Sequence, residues 1–328
     1  MLETDYDNLT PDIVIQAIES IGYLSDARVF ALNSYENRVY QVGIDEKSPV
    51  IAKFYRPLRW TDAQIIEEHN FTQLLADIDL PVIPPLRDEN GHTLHQYAGY
   101  RFSLFARQGG QAPEPDDFDQ IYRLGMLLGR IHKAGSAEAF QHRPNISIDS
   151  YGIQPASLLL ENGFVPNSLS KQFERVIEQI CTKCEAAFQH TSGLTLIRSH
   201  GDCHIGNILW NRDTGPWFVD FDDCRTAPAI QDLWMLLSGE RANQSQQISE
   251  ILEGYREFHE FNLAELQLIE PLRSLRIIHY AGWLAKRWSD PAFPLNFPWF
   301  NTDNYWQQFL GELEDQHNAL DLPPLTVY

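Results

Sequence analysis

Between His200 and Asp223 the chain reads HGDCHIGNILWNRDTGPWFVDFDD, and this segment limits the possible folds more than any other. Two short apolar runs, Ile208 to Trp210 and Trp217 to Val219, are joined by the polar turn Asn211 to Pro216, so a tight hairpin is expected. Such a hairpin returns Asp220 beside Asn207, and Asp202 precedes Asn207 by five residues. A carboxylate and an amide at adjoining hairpin ends offer hard oxygens suited to Mg²⁺. Each residue alone has a plainer reading, since an aspartate after His-Gly is commonly a turn residue and one at a strand end a cap or surface charge. That reading does not account for four carboxylate or amide groups meeting at the end of one apolar hairpin.

The rest of the chain falls into two textures. After a short amphipathic helix at 11–22, strand-like runs are expected at 27–32, 38–42 and 50–55, then a helix to about Asp77 capped by Thr61. The Pro-rich stretch LPVIPPL leads to further strands at 93–97 and 100–105. The Gly-, Pro- and charge-rich segment ARQGGQAPEPDD marks a boundary. Beyond it helical periods dominate, at about 116–135, 168–190, 228–239, 243–261, 263–288 and 303–318, interrupted only by the β-rich stretch 195–221. The expected fold is α+β and two-lobed. Residues 1–105 form a small β-rich N-lobe, and 106–328 form a larger helical C-lobe that carries the chemistry.

Length and charge narrow the function. A chain of 328 residues exceeds what one hydrophobic core usually serves. With 45 acidic against 25 basic residues, a net charge of -20, the surface repels phosphate backbones and anionic lipid. No nucleic-acid or membrane partner is expected. Neither a signal peptide nor a membrane span is visible, and four cysteines are too few for a disulfide framework, so a cytoplasmic monomer is expected. Cys181 and Cys184 have CxxC spacing, yet they lie in a helical period with no second pair and read as packed thiols. Cys203 reads as a small loop residue. One strand, Val50-Ile-Ala-Lys53-Phe-Tyr, carries a lysine among apolar residues, a poor place for a charge without a partner.

HGDCHIGN followed by VDFDD resembles the catalytic loop and metal-binding segment of the aminoglycoside phosphotransferase and choline kinase superfamily, relatives of the eukaryotic protein kinases. The resemblance implies a protein-kinase-like fold and transfer of the ATP γ-phosphate to a hydroxyl. Asp202 would be the base, Asn207 a metal ligand and Asp220 the principal metal ligand, with Mg²⁺ and ATP as cofactor and co-substrate. It places His200 as a brace of the loop and His204 where protein kinases carry a lysine, near the transferring phosphate. Gly201 replaces the usual arginine, so control by activation-loop phosphorylation is not expected. Asp232, in APAIQDLWMLL, would hold the loop by accepting backbone N–H bonds. Lys53 would contact the α- and β-phosphates and pair with Glu67 or Glu68, the distance to Pro81 favouring Glu68. The glycine-free turn Asn33 to Asn37 would cover the nucleotide, with Ser34 as candidate phosphate contact. Leu104, Phe105 and Ala106 would form the adenine hinge, while Leu128 to His132 reads as packing.

The segments NSYENRVYQ, KFYRPLRW, HGDCHIGNILW, QDLWMLL and RWSDPAFPLNFPWF are together similar to a family of bacterial stress-response kinases. That likeness covers essentially the whole chain and implies a Ser/Thr protein kinase active in envelope or oxidative stress. Two alternatives stand beside a protein acceptor. One is a small alcohol such as an aminoglycoside, choline or homoserine; the other is a silent pseudokinase scaffold. Retention of Lys53, Asp202, Asn207 and Asp220 opposes the scaffold.

Overall fold

The computed structural model describes Tyr6 and residues 8–328; the acidic start of the chain, read above as no leader, otherwise lies outside the described residues. The chain divides into two compact units. The first comprises residues up to Glu114 together with Phe140–Arg143 and His204–Cys224, and the second comprises Pro115–Ala139, Pro144–Cys203 and Arg225–Tyr328. In this division the hairpin 208–218 groups with the N-terminal sheet.

In the first unit, helix α1 (Pro11–Glu19) starts at Thr10, whose side chain accepts the Ile13 N–H. Strands β1 (Ser25–Ala31), β2 (Arg38–Ile44), β3 (Lys47–Phe54), β4 (His95–Tyr97) and β5 (Tyr100–Ala106) form an antiparallel sheet of order β1-β2-β3-β5-β4. Val42, Ile44, Val50, Ala52, Phe54, Phe102 and Leu104 pack with Val14, Ala17 and Ile18 of α1 in one core. Helix α2 (Asp62–Asp77) carries a reciprocal capping box between Thr61 and Gln64, which satisfies two of its orphan N–H groups. The Pro-rich connection runs along the sheet and the hairpin. Leu86 N donates to Leu104 O at 2.7 Å, and Phe218 N to Pro81 O at 2.8 Å.

The second unit contains α3 (Phe118–Gly135), α4 (Gln154–Glu161), α5 (Ser170–His190), the pair β6 (Leu196–Ser199) and β9 (Arg225–Pro228), α6 (Ile230–Trp234), α7 (Arg241–Arg256), α8 (Ile269–Lys286), α9 (Ala292–Asn296) and α10 (Asp303–Ala319). The hairpin β7 (Ile208–Asn211) and β8 (Gly215–Phe218) lies between β6 and β9 in sequence and belongs to the first unit. Two expectations need correction. The helical period expected at 228–239 is only the five-residue α6: Pro228 is drawn into pairing with β6, and after Trp234 the chain tightens into turns in which Leu236 N and Leu237 N donate to Leu233 O and Trp234 O. Helix α4 was missed, since Pro155 at its start reads locally as a breaker although the first turn of a helix tolerates proline.

Glycines set the contact of α3 with α7. A Cβ on Gly125 would lie 2.1 Å from Ile251 O, one on Gly129 2.5 Å from Tyr255 O, and one on Gly254 2.2 Å from Tyr122 O. These clashes are with backbone, so no rotamer relieves them. Gly254→Ala is expected to destabilise the protein by about 1–3 kcal/mol in urea unfolding. Gly311→Ala, in the open face of α10 where a Cβ meets nothing within 4 Å, is expected to stabilise it by about 0.5–1 kcal/mol. Equal effects would show that the close crossing does not govern the difference.

Candidate active site

The hairpin does what its sequence predicts. Ile208 pairs with Phe218, and Val219 N donates to Asn207 O at 3.0 Å, which sets Asn207 and Asp220 on adjoining ends. Asp220 itself adopts φ 60, ψ 62, left-handed backbone that a non-glycine residue occupies at some cost. His204 Nδ1 accepts the Gly206 N–H at 3.0 Å, so the ring fixes the turn that delivers Asn207. A Cβ on Gly206 would sit 2.8 Å from that ring, so any other residue there would force the ring to shift.

Lys53 of β3 lies beside the hairpin end. Its Nζ is 3.0 Å from Asp220 Oδ1, 3.2 Å from Asp222 Oδ1 and 3.8 Å from Glu68 Oε1. Burial works against its charge, but Asp220, Asp222 and Glu68 together hold its pKa well above the ordinary value. Glu68, on α2, also receives Arg143 Nη2 at 2.7 Å. Glu67 points elsewhere, with its carboxylate accepting the backbone N–H groups of Gln141, His142 and Arg143. Of the two glutamates, then, Glu68 faces the lysine. Burial pushes the Glu68 carboxyl up to about 7 against the opposing pull of Lys53 and Arg143.

Asp222 is the centre of a buried charge cluster. It contacts Arg59 and Lys53, accepts Asn37 Nδ2 at 3.2 Å, and through its backbone oxygen accepts Arg143 Nη1 at 2.9 Å. Burial raises its pKa, yet Arg59 and Lys53 overcome that and hold the carboxyl down at about 2. Arg59 also binds Asp223 at 2.9 Å. Asn37, Arg59, Arg143 and Asp222 were not singled out from the sequence. Arg59 lies within KFYRPLRW, a stretch that carried a family likeness but no assigned chemistry.

The turn before β2 is closed by its own groups. Ser34 Oγ donates to Asn37 O at 3.1 Å, while the buried Asn37 accepts Arg56 N and donates to Asp222. Arg56 Nε in turn donates to Glu36 O at 2.9 Å. Phe105 and Ala106 end β5 opposite Ile51 and Val50, with Ala106 exposed.

In the second unit, Asp232 on α6 is fully buried and accepts His200 N and Gly201 N, each at 2.8 Å. His132 Nε2 lies 2.9 Å from the same carboxylate, and its Nδ1 3.0 Å from Tyr255 Oη. Burial raises the Asp232 pKa, but the His132 hydrogen bond and the charges of His132 and His200 lower it on balance. The backbone before Asp202 is therefore pinned by a charged acceptor, with His200 itself buried. His132, read as packing, is part of this brace; a histidine on an apolar helix face was the available signal. Asp202 Oδ1 meets Arg276 Nη1 of α8 at 2.6 Å.

Three of the four cysteines are disfavoured as thiolates. Burial pushes the Cys181 thiol up to about 11 and raises Cys184 and Cys203 further, which suppresses the reactive thiolate.

A lysine on the third strand paired to a helix glutamate, and an Asn–Asp pair on a hairpin after a pinned aspartate, define the phosphotransferase class with a protein-kinase-like fold. The model of the Phosphotransferase enzyme family matches residues 28–269. The chain belongs to this family and is an ATP-dependent kinase by class. It is 43% identical over 98% of its length to Stress response kinase A of Escherichia coli O157:H7, covering 97% of that protein. Identity is 41%, with the same coverage, to the Serine/threonine protein kinase RdoA of Salmonella typhimurium. Among solved structures it is similar to the amicoumacin kinase hAmiN bound to AMP-PNP and Ca²⁺, with TM-score 0.71, 19% identity, and coverage of 96% of this chain and 94% of that one.

No group of three or more His, Cys, Asp or Glu side chains among the described residues is arranged to hold a metal. The oxygens of Asn207 and Asp220 nevertheless fit Mg²⁺, which takes one or two protein ligands and completes its shell with water and phosphate. The Asp220 side chain is 54% exposed, so it can reach such a shell. No helix among the described residues is long and apolar enough to cross a membrane.

Proposed function

We propose that this chain is a bacterial stress-response Ser/Thr protein kinase that transfers the γ-phosphoryl group of ATP to a protein hydroxyl. The observation that carries the reading is the near full-length identity to proteins bearing those names, joined to the Lys53–Glu68 and Asn207–Asp220 pairs. Asp202 takes the proton of the acceptor hydroxyl. Lys53 holds the α- and β-phosphates, oriented by Glu68, and Asn207 and Asp220 hold Mg²⁺. The metal neutralises phosphate charge, and the chain's own part is positioning. His204 keeps Asn207 in place through the Gly206 N–H. His200 and Asp232 keep the loop before Asp202 from moving. Ser34 with nearby backbone N–H groups covers the phosphates, and the backbone of Phe105 and Ala106 receives adenine. The protein acts as a cytoplasmic monomer; four cysteines held as thiols suit a reducing compartment.

The test is incubation of the pure protein with labelled ATP and Mg²⁺, a generic protein acceptor and an amino-alcohol panel, beside Asp202→Ala. Label on protein hydroxyls that disappears in the variant is the expected result. Transfer to small alcohols alone would replace the protein acceptor with a small-molecule one. ATP binding without transfer would leave only a scaffold.

The two adjacent glutamates separate by the same logic. Glu68→Gln is expected to lower kcat/KM for ATP about tenfold, since a neutral amide holds Lys53 less firmly. Glu67→Gln weakens three bonds to backbone N–H groups and should cost about 1–2 kcal/mol of stability while sparing kcat/KM. Steady-state kinetics and urea unfolding of both variants check the pair, and the reverse pattern would exchange their roles.

A further inference from the structure

Resting on the reading of Asp202 as base, we infer that Arg276 is an acceptor-selecting residue, and that the preferred acceptor is a seryl or threonyl peptide with an acidic residue beside the hydroxyl. Arg276 Nη1 stands 2.6 Å from Asp202 Oδ1, so a guanidinium adjoins the atom group that must meet the acceptor. Its side chain remains 36% exposed, and a guanidinium offers five N–H donors. One carboxylate contact leaves donors for a second anion, and the planar fork suits a carboxylate.

The surroundings make the cation local rather than incidental. From Pro271 to Ser289 there is no Asp or Glu, while Arg276, Lys286 and Arg287 are present, in a chain of net charge -20; Arg273, in the same stretch, is held by Glu270 at 2.7 Å. Four and seven residues beyond Arg276, on the same helix face, Tyr280 and Trp283 stack with ring centroids 5.6 Å apart, and Tyr280 is 43% exposed. Three residues beyond it, His279 stacks on the buried Tyr151 at 4.1 Å, with the buried Arg225 guanidinium over the same ring at 5.0 Å, which anchors this stretch of the helix from within. The accessible face that leads away from the base thus presents the Arg276 guanidinium followed by the Tyr280 and Trp283 rings. It attracts a carboxylate and offers rings to an extended peptide, whereas the ammonium of an amino-alcohol would meet like charge.

The experiment measures kcat and KM with ATP and Mg²⁺ on three serine peptides flanked by Glu, Ala or Lys, plus an amino-alcohol, for wild type, Arg276→Lys, Arg276→Gln and Arg276→Glu. Wild type is expected to show a KM at least about tenfold lower for the Glu-flanked than for the Ala-flanked peptide. Arg276→Gln should erase that ranking by raising KM for the Glu-flanked peptide, Arg276→Lys should restore part of it, and Arg276→Glu should favour the Lys-flanked peptide. Equal loss of kcat on all peptides with the ranking intact would reduce Arg276 to a clamp on Asp202 and overturn the inference. So would wild-type indifference to the flanking charge, which leaves the protein-kinase reading standing. Transfer to the amino-alcohol with no peptide labelled would remove that reading as well.

Discussion

Asp202→Ala is expected to lower kcat by at least about 10²-fold while KM for ATP stays near the wild-type value. The loss should fall on kcat because, in the proposed reaction, the carboxylate acts only as the acceptor hydroxyl gives up its proton, whereas the ATP-holding groups proposed at Lys53, Asn207 and Asp220 are untouched. The variant should fold normally. The preceding backbone is pinned not by Asp202 but by Asp232, through His200 N and Gly201 N. Arg276 loses its partner, yet it is partly exposed and water can take over. Asp202→Asn keeps the shape without the basicity and should be nearly as slow. Phosphate transfer measured at saturating ATP decides the matter, and wild-type turnover in either variant would take Asp202 out of the reaction.

Asp222→Ala is expected to destabilise the protein by about 3–5 kcal/mol, the range for removing one partner from a buried ion pair. The substitution leaves Arg59 and Lys53 with fewer anions, deprives Asn37 Nδ2 of its acceptor, and so releases the turn before β2. The same carboxylate makes acid stability directional. Its folded pKa, about 2, lies below the ordinary value of 3.8, so the unfolded chain binds the proton first as pH falls. Its contribution, about 2 kcal/mol from the shift, is complete above pH ~4 and is lost as pH falls towards 2. Urea unfolding of wild type and variant at pH 7 and near pH 3 measures both effects. A variant within about 0.5 kcal/mol of wild type at pH 7 would show that Asp222 is dispensable to the cluster.

Local pattern accounts for much of what is built here. The hairpin 208–218 follows from two apolar runs around a polar turn, and it sets Asn207 against Asp220 because strand pairing is local. The five strands and most of the long helices could be read from periodicity and caps. Residues 225–228 could not, because their pairing with β6 lies across the hairpin and no neighbour in sequence announces it.

The charge cluster shows the other side of this. Glu67 and Glu68 are adjacent and chemically alike, and only the rotation of α2 against β3 turns one to Lys53 and the other to the backbone at 141–143. Asp222 is one of three aspartates in VDFDD, yet its contacts with Arg59 and Lys53 hold its carboxyl down at about 2 against the opposing effect of burial. Arg276 is seventy-four residues from Asp202 in sequence, and nothing in its helix marks it until α8 brings it to the carboxylate. The sequence by itself determined the class of fold and the hairpin, and pointed to Asp202, Asp220 and Lys53 as the candidate site residues. The tertiary structure alone decided which charges pair, because ion pairing depends on distance and burial, which chain order does not carry.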